Sequence, residues 1–193
     1  MINTLKQKWI RSCGLLVSTL LTSQLAASIL LIDFGASSAP TAGNVNNLEG
    51  SGASASTLIG ATFPLIDTNG DSTGITLNIT GNFQGSNSTG NGSNAVGPFA
   101  INTTIDSYFG GTGAPNPAFE LTGLDANLTY SFTVYASRTG VSDVRTATYT
   151  FQGTNTVFGD LDSSNNTTNT LILSDVAPTA GGIINFTMLK ASD

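Results

Sequence analysis

The chain has 193 residues, 22 of them glycine, with no histidine, one cysteine and a net charge of −6. Without histidine there is no Ser–His or Cys–His nucleophile system, and an acidic surface repels nucleic acid and anionic lipid. Only 9% of residues are charged, but apolar segments recur at regular intervals, which argues against disorder.

Lys6, Lys8 and Arg11 precede an apolar stretch from Leu15 to Ala27, which Ser18, Thr19, Thr22 and Ser23 interrupt. Small residues follow at Ala26-Ala27-Ser28. This is the layout of a secretory signal peptide over residues 1–28, for a secreted, extracellular or periplasmic protein. Cleavage is placed after Ser28, with Ala27 as the alternative. The rival reading is an uncleaved membrane anchor, for which the stretch is short and broken. Cleavage leaves Arg138, Arg145 and Lys190 against twelve acidic residues, a net charge of −9, so neither nucleic acid nor membrane is an expected partner. It also removes Cys13 and Trp9, leaving no disulfide to form. Cys13 lies ahead of the apolar stretch, away from the cleavage site, so no lipid anchor is expected.

The remaining chain reads as a single β domain over residues 29–193. Ile29 to Phe34 is a β-branched, apolar run that Gly35 stops, and it reads as a buried strand. Residues 36–58 read as a long loop of Ser, Ala, Gly and Asn. After the turn cluster Asp67 to Ser72, Ile75, Leu77 and Ile79 alternate with Thr76, Asn78 and Thr80 as a half-buried strand. Gly81 to Gly97 reads as loop, Ile105 to Phe109 as a short strand, and Pro115 and Pro117 close the loop after it. Phe119 and Leu121 mark a strand ending at Gly123.

The clearest element follows, with Leu128, Tyr130, Phe132 and Val134 facing one way and Ser131, Thr133 and Tyr135 the other. Gly140 to Asp143 then turns the chain, and Thr146 to Phe151 reads as a hairpin partner for that strand. Thr170 to Leu173 and Ile183 to Leu189 complete eight or nine strands. No stretch keeps a helical period, so the expected fold is all-β, an antiparallel sandwich or jelly roll.

The chemistry-bearing groups are few. Asp67-x-Asn69-x-Asp71 matches the first ligand positions of a calcium loop, but its glycine is displaced to Gly70 and Asn78 stands where a closing glutamate belongs. Its other reading is a plain turn. Glu49, Glu120 and ten aspartates are scattered, and a carboxylate hydrolase would need two of them to meet across a cleft. Arg138 and Arg145 flank the inferred hairpin loop with Asp143 between them, either as a salt bridge or as a ligand-facing patch. Asn165-Asn166 forms a polar turn suited to calcium or sugar hydroxyls, although such a turn needs no ligand. Eight Asn-x-Ser/Thr triplets matter only in a eukaryotic secretory pathway.

Several segments in order carry a resemblance: Ile32-Asp33-Phe34-Gly35, Asn46-Asn47-Leu48, Leu124 to Tyr130, Ala136-Ser137-Arg138, Asp143-x-Arg145 with Tyr149 and Gly153, Asn165-Asn166, and Val176-Ala177-Pro178 with Gly182-Ile183-Ile184. Together they resemble a β-sandwich module of secreted bacterial proteins that is similar to galactose-binding-like and malectin-like domains. The resemblance spans most of residues 29–189. It implies a carbohydrate-binding-module-like jelly roll, with the Asp-Phe-Gly strand and the Ser-Arg/Asp-x-Arg hairpin as scaffold. It carries over no sugar-contacting residue. Such modules usually end in a further strand, whereas this chain stops at Ala191-Ser192-Asp193; the expectation is either a truncated sequence or a domain that ends early, lacking its last strand and leaving an open sheet edge through which copies could associate.

The leading expectation is therefore a non-catalytic module for an extracellular polysaccharide or glycan. Sugar rings stack on aromatics. Alternation points Tyr130 into the core, so Tyr135 and Tyr108 become the stacking candidates, beside Arg138, Asp143 and Arg145. A structural or adhesive surface protein is the second reading and a carboxylate hydrolase the third. No cofactor is required on any of these, with calcium at Asp67, Asn69 and Asp71 as the one candidate.

Overall fold

The computed structural model describes residues 28–36, 40–50, 58–110 and 116–191. The predicted leader apart from Ser28, Pro115, and Ser192 and Asp193 lie outside the described residues. The elements in chain order are β1 (Ile32–Ala36), β2 (Asn46–Gly50), β3 (Thr62–Ile66), β4 (Ser72–Ile79), β5 (Gly85–Asn87), α1 (Ile101–Thr104), β6 (Ser107–Phe109), β7 (Ala118–Thr122), β8 (Tyr130–Val134), β9 (Thr146–Gln152), β10 (Thr156–Asp162), β11 (Leu171–Val176) and β12 (Ile184–Lys190).

One six-stranded sheet runs β10-β9-β12-β7-β4-β3, antiparallel throughout. Its register aligns apolar residues in rows. Leu77 faces Leu121, which faces Ile184; Ile79 faces Phe119, which faces Phe186, which faces Phe151. All seven are buried, so one face of this sheet is the core wall. The opposite wall is built from three two-stranded pieces, β8 with β11, β5 with β6, and β1 with β2. The β1–β2 pair is parallel, a departure from the antiparallel pattern expected throughout.

The two walls meet through aromatic rings. Phe132 of β8 stacks on Phe151 of β9 with centroids 3.8 Å apart and planes at 9°. Phe34 of β1 stacks on Phe119 of β7 at 5.6 Å, and Phe119 on Phe186 at 4.3 Å. The result is an all-β, sandwich-like fold.

This stacking corrects the expected hairpin between β8 and β9. β8 pairs with β11, while β9 lies in the large sheet between β10 and β12. The alternation holds for Tyr130, Phe132 and Val134 of β8 and for Tyr149 and Phe151 of β9, while Leu128 lies before β8 and is 54% exposed; alternation identifies a strand's buried face, not its neighbour. The two apolar faces bury each other across the sandwich, and residues 135–145 carry the chain from one layer to the other.

β2, β3, β5, β10 and α1 have no counterpart in the sequence reading. β2 (Asn-Asn-Leu-Glu-Gly) and β5 (Gly-Ser-Asn) are composed like turns. In β10 the inward positions are Val157, Gly159 and Leu161, so a glycine interrupts the apolar pattern. Glycine sits there because a Cβ would meet the Leu171 side chain at 2.9 Å, where β11 crosses close over β10.

The aromatic seam sets the first expected outcome. Phe151→Ala empties a site 3% exposed and is expected to cost about 3–5 kcal/mol, lowering the thermal midpoint by about 10 °C. Phe158→Ala, 67% exposed on β10, is expected to cost under about 0.5 kcal/mol. Calorimetry on both variants checks this, and equal effects would contradict the layering.

Candidate functional site

Where the smaller pieces of the second wall stop, the sandwich opens into a cleft of about 1140 Å³. β5 and β6 form one side through Ser86, Asn87, Ser107 and Phe109; the start of β9 and the end of β12 form the other. The β8–β9 connection contributes Arg138, Asp143 and Arg145.

That connection has no ladder of its own and is held by its neighbour, the turn between β10 and β11. Asn166, buried, donates from Nδ2 to the Ala136 carbonyl at 2.9 Å, and its own carbonyl accepts from the Tyr135 and Ser137 hydroxyls at 2.9 and 2.7 Å. Asn165 receives the Gly140 N–H at 2.8 Å and donates to the Val141 carbonyl at 2.8 Å. Asn165 takes φ +49°, a left-handed conformation that asparagine tolerates. Asn165-Asn166 is therefore a clamp that shapes the cleft.

The structure brings four of the five sequence candidates to this cleft: Tyr108, Arg138, Asp143 and Arg145. Their roles divide. Tyr108 is 7% exposed, packs on Phe34 and Phe83, and its hydroxyl donates to the Leu48 carbonyl. It is a core residue, and the stacking role assigned to it is corrected. Tyr135 does not line the cleft; it is half-buried beside Phe99, with its hydroxyl donating to Asn166. That assignment is corrected too, because the β10–β11 turn engages its hydroxyl through the Asn166 carbonyl and Phe99 packs beside its ring.

Arg138 reaches Asn87 Oδ1 and Thr89 Oγ1 through its Nη1, tying the connection to β5, and its Nε is buried without a partner among the described residues. Arg145 pairs with Asp143 at 3.2 Å, and both are substantially exposed. The salt bridge weighed in the sequence thus exists between these two, and Arg138 stands apart from it.

The residue that sequence reasoning missed is Phe109. It follows Tyr108 on β6, so alternation turns it the other way, into the cleft wall at 43% exposure. Val144 at 65% and Leu189 at 45% line the same cleft. Choosing tyrosines by residue type selected the inward member of an adjacent aromatic pair. Tyr149 lies at the base, where burial pushes its hydroxyl up to about 12 and keeps it neutral.

The Asp67-Asn69-Asp71 segment is a β3–β4 hairpin turn remote from the cleft lining. Asp67 Oδ1 accepts the N–H groups of Asn69 and Asp71 at 2.8 and 3.0 Å, and Oδ2 accepts the Ser28 hydroxyl at 3.0 Å. Gly70 turns the chain at φ +89°. Those bonds hold the Asp67 carboxyl below its ordinary range, the Asp71 N–H most of all. Among the described residues no three His, Cys, Asp or Glu side chains gather as a metal site.

A second, smaller cavity of about 230 Å³ lies between the layers, with Asp33 and Asp106 on its lining. Asp33 is 3% exposed and accepts the Thr41 hydroxyl at 2.6 Å. Burial, aided by the charges of Asp106 and Glu49, pushes its carboxyl up to about 6 against the Thr41 bond.

Compared with known proteins, the chain matches no protein-family model, no curated protein and no solved structure.

Asp33 makes stability depend on pH in a definite direction. Folded, it keeps its proton up to about pH 6; unfolded, it loses it near 3.8. Between those values the folded chain binds more protons, so this group's contribution falls as pH rises, by about 2–3 kcal/mol in all. Asp33→Asn has no such proton to lose and is expected to flatten the fall. Unfolding midpoints of both proteins across this window check it; parallel slopes would contradict it.

Proposed function

We propose that the protein is a secreted, non-catalytic β-sandwich module that binds an extracellular carbohydrate in the cleft beside β6. The observation that carries this reading is Phe109, an aromatic ring exposed on the wall of a cleft that short polar side chains also line. Ser86, Asn87, Ser107 and Asn116 share the lining with it. A sugar presents an apolar ring face edged with hydroxyls, and an aromatic among amides and hydroxyls is its complement. A cleft of about 1140 Å³ accommodates several sugar units rather than one.

Other features support the same reading. The lining holds one carboxylate among the described residues, Asp143, where paired-carboxylate hydrolysis uses two. The basic, apolar and small-residue sequence of residues 1–28 supports export. Cutting after Ala27 instead of Ser28 would retain the Ser28 hydroxyl bond to Asp67. The resemblance to galactose-binding-like and malectin-like modules points to the same ligand class, by analogy of fold.

A structural or adhesive role is the second reading. Phe158 of edge strand β10 and Ile172 of β11 are 67% and 63% exposed, and an edge strand can accept a strand from another copy.

A ligand that binds only the folded chain raises its thermal midpoint. A panel of soluble polysaccharides is expected to contain at least one that does so. Phe109→Ala is expected to abolish that shift while moving the ligand-free midpoint by no more than about 2 °C. A panel that shifts nothing, with association that depends on protein concentration and is lost in Phe158→Asp, would favour the adhesive reading.

A further inference from the structure

Resting on the carbohydrate reading above, we infer that the cleft takes an anionic polysaccharide, whose carboxylate or sulfate groups are received by Arg138, Arg145 and Lys190 while a sugar ring lies on Phe109.

The argument begins with where charge is and is not. Beyond residue 28 the chain carries twelve acidic residues and three basic ones. A chain so acidic has ordinary reasons to spread its few cations over the surface, where they would relieve local repulsion. Instead all three line one cleft, brought there by two different segments: Arg138 and Arg145 by the β8–β9 connection, Lys190 by the end of β12. They share it with a single carboxylate among the described residues, Asp143. The cleft is thus a positive site on a negative molecule. A neutral sugar has no use for that arrangement, since hydroxyls are met as well by amides and hydroxyls, which are already present.

The two arginines are also held in a manner suited to an incoming anion. Arg138 has one terminal nitrogen engaged by neutral oxygens, Asn87 Oδ1 and Thr89 Oγ1, so its charge is oriented but not cancelled. Its Nε is buried without a partner among the described residues, so the guanidinium's hydrogen-bonding capacity is only partly used. Arg145 is paired with Asp143, but the pair is open to water, with side chains 44% and 62% exposed. A surface pair of this kind is worth little and yields readily to a competing oxyanion. Other acids stand close in the fold. Asp162 accepts the Arg145 N–H and is also engaged by Ser164, while Asp160 accepts the Thr148 hydroxyl. Neither is on the cleft lining.

The anion must belong to a neutral-backboned, ring-bearing polymer to use the rest of the site. Phe109, Val144 and Leu189 supply exposed apolar surface beside the cations, which a free small anion would leave uncovered. The ligand's negative charge must also overcome the repulsion of a chain at −6, or −9 without residues 1–28, so specific contacts in the cleft have to dominate over bulk attraction.

The test uses polymers that differ only in charge: polygalacturonate against its fully methyl-esterified form, and dextran sulfate against dextran. Binding of the full protein is measured by isothermal titration and by retention in gels containing each polymer. The expected result is binding to at least one charged polymer and at least tenfold weaker binding to its neutral counterpart. Arg145→Ala and Lys190→Ala are each expected to weaken it about tenfold, and raising sodium chloride from about 0.05 to 0.5 M to weaken it further. Both residues are exposed, so folding is preserved, and an unchanged thermal midpoint confirms that. Equal binding of charged and neutral polymers, removed by Phe109→Ala, would overturn the anionic ligand and leave the carbohydrate module standing. Charge-selective binding that Arg145→Ala, Lys190→Ala and Phe109→Ala all leave intact would also overturn the inference, because the anion would then sit elsewhere. Binding to none of the four would overturn both.

Discussion

The fold depends on an aromatic seam between two unequal walls. One wall is a continuous six-stranded sheet; the other is three separate strand pairs that share no ladder. No backbone ladder registers those pairs against one another, so side chains must, through packing and through the Tyr108 hydroxyl that β6 sends to the Leu48 carbonyl of β2. Phe132 seats β8 on β9, Phe34 seats β1 on β7, and Tyr108 and Phe83 fill the space beneath β6. Residues beyond 28 contain no cysteine, so no disulfide shares the task. Fully burying such a ring contributes about 2–3 kcal/mol, and the seam repeats that gain at each junction.

The same segmentation makes the cleft. A continuous second sheet would close over β9 and β12, whereas separate pairs leave an opening where the β8–β9 connection crosses between layers. A crossing segment cannot draw on a strand ladder, and its backbone groups need partners. Asn165 and Asn166 supply them from the next turn along the chain, bonding to residues 136–141. What reads in the sequence as a polar dipeptide with ligand-binding potential is spent on backbone. The charged groups that the clamped segment brings to the cleft lining are Arg138, Asp143 and Arg145.

The legible part of the fold was the part written in alternating apolar residues. β4, β7, β8, β9 and β12 are recognisable because each keeps a period of two over a buried face. β2 and β5 are not, because their residues are those of turns. The pairing of β8 with β11 instead of β9 was hidden for a related reason: both arrangements bury Phe132 and Phe151, and only the three-dimensional layering separates them. At the site, residue types were informative and orientation was not. The two arginines and Asp143 do come together, while Tyr108 and Tyr135 were selected for their chemistry and turn out to be spoken for by Leu48 and Asn166.

Strand β6 shows how scaffold and site divide in a domain of this kind. Tyr108 and Phe109 are adjacent aromatics on a three-residue strand. One closes the core and hydrogen-bonds across it; the other faces the cleft. A β-strand commits half of its side chains to each face, so a two-layer fold exposes one residue for every one it buries, and an apolar residue on the outer face is unexplained by stability. Scattered single cases are ordinary on a protein surface. Phe109 differs because Val144, Leu189 and the three cations share its cleft, brought there by the β8–β9 connection and the end of β12. Apolar surface left open to water in company with charged donors has a cost to solubility and no return in packing, which is the physical reason to assign it to a ligand.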